Sequence, residues 1–409
     1  MKRILFYYDN YCGEQAKGGT EVATARIAKA LSGTGEWIIY NAFKRGPETL
    51  TDAAYSKTRR LRSKTFVAGL AEFIRENEID AVVNMGRFYR HPKLKKAIEK
   101  SGRDTRLLFM HHFAPGNESV KHTYQAGWHL LRMNPADPKY WFRATLYPLF
   151  KLQRRLSLAG MYRKILEESD GVVLLSEGYK ANYMAKAYGQ KAEKYGQKTE
   201  KKERLIEKIT AIPNIYDAPA QSAEYSKENR VLILSRMDEI QKQITLALKI
   251  WKKIEERNDL RDWHLDIVGT GHDEKGIKKL AERLKLKNVT FHGWQDSSPF
   301  LQKSAILMST SLYEGLPLSM IEAGTYGCLP IAFNSYASLK DIIKDGETGV
   351  TVEKFGDIDA FAESLARLMV NTEDRKRMAG NAMDSAEKFS SRNVARIWSD
   401  TLNRIITKN

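Results

Sequence analysis

Short apolar runs alternate with longer stretches of helical period along most of the chain. Ile4–Tyr8, Ala81–Val83, Leu107–Met110, Val172–Leu175, Val231–Leu234, Leu265–Val268, Ala305–Met308 and Leu329–Phe333 are runs of this kind. Apolar runs without strict polar alternation suit strands buried on both faces, as in parallel sheets covered by helices. Val22–Leu31, Ile244–Ile254 and Ile277–Leu284 repeat their apolar residues at helical spacing and fall between such runs. Strand and helix in alternation predict βαβ units, hence an α/β fold. The sequence turns polar and turn-rich around Asp217–Asn229, just before the fresh strand at Val231. That break predicts two doubly wound, Rossmann-like domains, 1–216 and 217–390. Near the end, Val394, Ile397, Trp398, Leu402 and Ile405 mark a helix over about 393–406 that needs a surface on which to bury Trp398.

Length agrees with this division, since 409 residues suffice for two domains of about 200. A composition 42% hydrophobic and 29% charged excludes a disordered, collagenous or disulfide-scaffold chain. Two cysteines, Cys12 and Cys328, in so long a chain read as reduced and intracellular. No apolar run is long enough to span a bilayer, and the apolar stretch after Met1-Lys2-Arg3 is too short for a signal peptide. The expected location is cytoplasmic. The formal charge of +17 changes the picture more, because it calls for an anionic partner: nucleic acid, a phosphorylated substrate or an acidic membrane surface.

Two segments break the α/β rhythm. Residues 121–166 carry nine Lys or Arg against one acid, Asp137, with eight aromatics interleaved. Basic groups that meet anionic headgroups beside aromatics that sit at an interface suggest peripheral contact with the inner leaflet. A helical hairpin packed on the sheet with a basic outer face is the alternative. Residues 184–208 are rich in Lys and Glu, repeat Tyr-Gly-Gln-Lys at 188 and 195, and read as a solvated insertion.

The richest chemistry lies between Ser309 and Gly324. A strand runs into a loop of small residues, and Pro317 is suited to the first position of a helix, where a missing N–H is harmless. The amides of Leu318, Ser319 and Met320 would then face a ligand with the positive end of the helix dipole, which suits a diphosphate. Glu314 precedes this helix and Glu322 lies about one turn inside it, so one would serve near a reacting group and the other would accept from sugar hydroxyls. Elsewhere, Gly18 and Gly19 follow the first strand, where glycine allows close backbone approach to a phosphate or sugar, although turn chemistry explains the pair as well. His111 and His112 follow the strand at Leu107. Adjacent side chains point apart and no third ligand is evident, so they do not read as a metal pair.

Glu314 and Glu322, with seven residues between them inside Ser-x-x-Glu-Gly-Leu-Pro-x-x-x-x-Glu-Ala, resemble the E-x7-E signature of retaining glycosyltransferases of family 4. Other parts of that pattern occur in order: Gly18-Gly19-Thr20-Glu21, Ile212-Pro213-Asn214, Ser235-Arg236 with Lys242, Val268-Gly269-Thr270-Gly271, and Asn288 to Gly293. The resemblance implies a GT-B architecture, two Rossmann-like domains facing across a cleft, with residues 391–409 crossing back to the N-terminal domain. It implies a nucleotide-sugar donor, with UDP the usual nucleotide, bound mainly by the C-terminal domain, and a glycan or lipid-linked acceptor bound by the N-terminal one. Glu314, His112, Arg236 and Lys242 take the catalytic positions. Gly18, Gly19, Arg236, Lys242, Gly269, Gly271, Glu314, Gly315, Leu318, Ser319 and Glu322 take the donor-binding ones.

On this reading Arg236 and Lys242 stabilise the charge that develops on a departing nucleoside diphosphate. No Asp-x-Asp lies in the motif regions, so neither a metal nor another cofactor is expected. The acceptor would be a cell-envelope polysaccharide, a lipopolysaccharide core or a lipid-linked intermediate. A dinucleotide oxidoreductase is disfavoured, because no Gly-x-Gly-x-x-Gly follows the first strand. A nucleic-acid binder is disfavoured because the basic excess collects in one aromatic segment. An epimerase or hydrolase of the same architecture is the nearest alternative.

Overall fold

The computed structural model describes residues 1–13, 19–46, 52–116, 141, 147–189, 200–217 and 227–407. They form two compact units, one of Met1–Ile215 with Ser391–Asn409 and the other of Tyr216–Ser390.

The first unit is built on a parallel sheet of β1 (Lys2–Tyr7), β2 (Trp37–Phe43), β3 (Lys57–Arg60), β4 (Ala81–Asn84), β5 (Arg106–His111), β6 (Gly171–Leu174) and β7 (Ile209–Ala211). Its order is β3-β2-β1-β4-β5-β6-β7. The central strands are apolar on both faces: Ile4, Leu5, Phe6, Tyr7, Val82, Val83, Leu108 and Phe109 are fully buried. β3 reads Lys-Thr-Arg-Arg and lies at the sheet's edge, where charge blocks further strand pairing. Without apolar residues it leaves no trace in the hydrophobic pattern.

Helix Ser391–Thr407 belongs to this unit. Trp398 is fully buried and meets Phe6 edge-on at 6.3 Å, and Trp37 Nε1 donates to Ser399 Oγ at 2.7 Å. These contacts cover the surface that the helical pattern of residues 393–406 demands.

The second unit has six parallel strands: β8 (Glu228–Leu234), β9 (His264–Val268), β10 (Val289–Gly293), β11 (Ser304–Ser309), β12 (Leu329–Phe333) and β13 (Val350–Val352). Their order is β10-β9-β8-β11-β12-β13. Trp251, Phe333, Phe361 and Ile267 anchor one core on this sheet.

Both unusual segments are partly described. Of residues 121–166, Trp141 and helix Tyr147–Glu168 lie within the described residues, and the stretches 121–140 and 142–146 lie outside them. Tyr162, Ile165 and Leu166 are buried, and Gly116 N donates to Tyr162 Oη at 2.8 Å, so the end of this helix is core. The stretch 184–208 is not wholly solvated. Met184 and Ala187 are buried at the end of helix Tyr179–Tyr188, and Leu205 is buried in helix Glu200–Glu207; residues 190–199 lie outside the described residues. A few well-spaced apolar positions suffice to pack a short helix, and the Lys and Glu around them hide that signal. Among the described residues no helix is long and apolar enough to cross a membrane.

Candidate functional site

In the second sheet the strand order reverses between β8 and β11, so the loops leaving their carboxyl ends diverge and open a crevice, the usual ligand position in doubly wound sheets. The residues of interest gather there. Ser235 and Arg236 follow β8, Gly269 to Gly271 follow β9, and residues 310–317 follow β11. The β8 and β9 loops touch so closely that two glycines are obligatory. A Cβ on Gly269, whose φ is +135°, would fall 1.9 Å from the Ser235 carbonyl oxygen, and one on Gly271 would fall 2.2 Å from that of Met237. Glycine here lets two backbones meet behind the crevice.

Glu314 is the centre of the site and is buried. Its Oε1 accepts from Lys242 Nζ at 2.5 Å, and its Oε2 accepts from Gln241 Nε2 at 3.0 Å. Gln241 in turn accepts from Arg236 Nη2 at 3.3 Å. Arg236, Lys242 and Glu314, distant in sequence, thus belong to one hydrogen-bonded chain. The backbone fixes the same arrangement. Leu312 N donates to Gln241 O at 2.8 Å, and Thr310 Oγ1 lies 3.0 Å from the carbonyl oxygens of both Lys242 and Gln243. Gln243 has φ +51°, rare for a residue with a Cβ, and it turns the chain sharply between helices Glu239–Lys242 and Ile244–Glu255. Ser235, Lys242, Ser309, Ser311, Glu314 and Ser319 line a small cavity at this point. Tyr313, beside Glu314, has its hydroxyl pushed up to about 12, first by burial and then by the charges of Asp238 and Glu314.

The helix after the loop begins one residue later than its sequence suggests. Pro317 is the N-cap, with ψ at 102°, and the helix runs Leu318–Thr325. The Met320 N–H is not free, since it donates to Pro317 O at 3.1 Å. The amides of Leu318 and Ser319 have no acceptor among the described residues and keep the anion-binding capacity of a helix start. Gly315 is half-buried in the loop, and Glu322 is half-buried in the second turn of the helix.

In the first unit His112 follows β5 and is buried, its Nε2 without a hydrogen-bond partner among the described residues. Burial, and then neighbouring His111, lower its pKa to about 3, so the ring is neutral at ordinary pH. His111 packs among Phe88, Tyr162 and Tyr183 as part of the core. Gly19 opens helix Gly19–Ser32, and a Cβ there would meet open space; Gly18 lies outside the described residues. One further cluster has no counterpart in the sequence reading. Asp9, after β1, accepts from Tyr7 Oη at 2.7 Å, Tyr89 Oη at 2.8 Å and Arg90 Nε at 3.1 Å.

Among the described residues, Asp238, His272 and Asp273 form one group with metal-ligating atoms close together. Both carboxylates already accept from backbone, Asp238 from Gln241 N and Asp273 from Glu239 N.

The loops that carry Arg236, Gly269, Gly271 and Glu314 all lie within a stretch that matches a known family. Residues 214–384 match Glycosyl transferases group 1. The first unit, Asn214 and Ile215 excepted, lies outside this group 1 match. The chain is 30% identical over 200 residues to the poly(glycerol-phosphate) alpha-glucosyltransferase of Bacillus subtilis, an alignment covering 47% of this chain and 29% of that protein. It spans less than half the length of the first curated relatives it matches. Two solved structures have its fold end to end. The lipopolysaccharide outer core galactosyltransferase WaaB, in its apo form, has a TM-score of 0.66 at 17% identity, with 98% of this chain and 99% of that one covered. Anabaena HepE, solved with UDP and glucose, has a TM-score of 0.68 at 15% identity, covering 99% and 100%. At such identities the likeness shows the fold, two Rossmann-like α/β units as in GT-B glycosyltransferases.

Proposed function

We propose that the chain is a retaining glycosyltransferase of the family 4 type, moving a hexose from a UDP-linked sugar to a hydroxyl of a cell-envelope glycan or lipid-linked acceptor. The observation that carries this reading is the chain Arg236–Gln241–Glu314–Lys242 at the switch point of the second unit, within the group 1 match. A departing diphosphate gains negative charge as the glycosidic bond breaks, so stabilisation must be positive and already in place. Arg236 offers a planar fork and Lys242 a point charge, while the Leu318 and Ser319 amides add fixed dipoles. These groups supply what a divalent ion would otherwise provide, and we infer metal-independent transfer. Glu314 holds Lys242 and Gln241 in position beside the reacting group. Glu322, one turn into the helix, accepts from ribose hydroxyls. UDP is favoured by the ligand named with the HepE structure, and an envelope acceptor by the names of the curated relatives. Peripheral attachment to the inner leaflet through residues 121–166 is part of the same reading. It predicts flotation with anionic vesicles and none with neutral ones.

Thermal stability against UDP, GDP, ADP, NAD and a panel of UDP- and GDP-sugars tests the donor. A ligand at ~100 times its dissociation constant stabilises by ~2.7 kcal/mol. A response to UDP and one UDP-sugar, abolished in Arg236→Ala and in Glu322→Ala, is expected. A response to NAD alone, or to none of these by folded protein, refutes the reading. Turnover that needs no acceptor would favour the epimerase or hydrolase alternative, and the anomeric configuration of the product decides retention.

A further inference from the structure

The first sheet has a switch point of its own, between β1 and β4. The strand ends around it are unusually basic. Lys44 and Arg45 follow β2, Arg60 ends β3 with Arg62 and Lys64 after it, and Arg87 and Arg90 follow β4. These loops are stitched side by side: Arg45 N donates to Asp9 O at 2.8 Å, Leu61 N to Phe43 O at 2.7 Å and Met85 N to Tyr7 O at 2.9 Å.

The carboxylates that share this edge among the described residues are already engaged. Asp9 is surrounded as described above, Asp52 accepts from Tyr11 Oη at 2.8 Å, and Glu21 accepts from Asn10 Nδ2 at 2.7 Å. Burial works to raise the Asp9 pKa, but the hydrogen bonds from Tyr7 and Tyr89 and the charge of Arg90 outweigh it and lower it, so the carboxylate is ionised and anchors the edge. Arg87 shares the Asp9 carboxylate with Arg90: its guanidinium lies 4.2 Å over the Tyr8 ring, and its Nε is 3.9 Å from Asp9 Oδ2, too long for a hydrogen bond. Arg45, Arg62 and Lys64 are exposed and have no acidic partner among the described residues.

We propose that the acceptor is a phosphodiester polymer, a polyol or glycan with repeating phosphates, laid along the edge formed by Arg45, Arg62, Lys64 and Arg87. The proposal rests on the transferase reading above and assigns the charge of its acceptor. A neutral glycan has no use for these cations. A single phosphate would call for converging groups, whereas these are spread over three adjacent loops and suit a series of charges.

The test measures binding of purified poly(glycerol phosphate) to the full chain, with dextran, duplex DNA and phosphatidylglycerol vesicles as comparisons, at ~50 and ~200 mM salt. The polymer should bind, and affinity should fall with salt. The triple variant Arg45→Gln, Arg62→Gln, Lys64→Gln should bind more weakly and flatten the salt slope by about three, one per lost phosphate contact. Its melting temperature and its stabilisation by UDP, which reports the second unit, should not change. Equal polymer binding by the triple variant, equal binding of dextran, tighter binding of DNA than of polymer, or a triple variant that loses more vesicle binding than polymer binding would overturn the proposal. Absence of a UDP response in both proteins, with polymer binding intact, would count against the transferase reading alone.

Discussion

Lys242 Nζ lies 2.5 Å from Glu314 Oε1, a contact between two loops 72 residues apart in sequence. The helix turn after β8 and the loop after β11 are joined by it, and both side chains are largely shielded from water. A carboxylate so placed depends on its cation. On the proposed reading, the cation in turn is held where the donor diphosphate would meet it.

Replacing Lys242 by Met removes the point charge and leaves Glu314 buried with Gln241 as its hydrogen-bond partner. We expect hexose transfer to fall by ~10²-fold, the usual scale for losing one group that stabilises developing charge. Folding stability should fall by ~3 kcal/mol, because half of a buried ion pair remains. Lys242→Arg should restore stability better than turnover, since a planar fork does not reproduce a point charge. Steady-state kinetics and urea unfolding of the two variants separate these effects.

Gly271→Ala should disrupt the proposed donor site from behind. Its Cβ would strike the Met237 carbonyl, a backbone atom that cannot swing aside. The β8 loop that carries Arg236 must then move, at a stability cost of ~2–3 kcal/mol. UDP should no longer raise the melting temperature. An unchanged UDP response would show that this loop contact does not shape the site.

Trp398→Ala tests the closing helix. Trp398 is fully buried against Phe6 of β1, and truncation leaves a cavity in the first unit costing ~3–5 kcal/mol. The second unit lacks this contact. Hydrogen exchange should therefore quicken in residues 1–215 and 391–407 and stay unchanged in 216–390. Uniform acceleration across both units would contradict the division.

Acid should weaken the first unit through its buried histidines. Burial, then Lys95 and Lys164, lower His91 from 6.5 to about 4, and His112 lies lower still at about 3. The native state holds both rings neutral, so the unfolded chain takes up protons first as pH falls below 6.5. Stability from the neutral rings is complete above that pH and is lost as pH falls towards the folded values. Each ring contributes a slope of up to ~1.4 kcal/mol per pH unit in that window. Urea midpoints from pH ~7.5 to ~5 should fall for the native chain and fall less steeply for His91→Leu. A flat profile would refute the assignment.

The sequence by itself determined the α/β class and most of the strands. Six of the eight apolar runs lie wholly within strands, and Ile4–Tyr8 and Val172–Leu175 pass the ends of β1 and β6 by one residue each, because a strand covered on both faces is apolar along its length. The final helix, expected over about 393–406 and observed over Ser391–Thr407, was legible with its need to bury Trp398 because its apolar residues recur at helical spacing. Local rules also located the loops after β8, β9 and β11, where glycine, proline and charged residues interrupt the pattern. Tertiary structure decided the rest. β3 has no apolar signal and exists because β2 offers it an edge. Pro317 caps the helix instead of starting it, because its ψ is extended. Gln241 drew no attention in the sequence, since an amide on a short helix has no distinctive pattern, yet it links Arg236 to Glu314. The union of Asp9, Arg87 and Arg90 with the cations after β2 and β3 was equally invisible. Charges that share one sheet edge are brought together by strand order, and strand order is a property of the assembled sheet that no single segment of sequence contains.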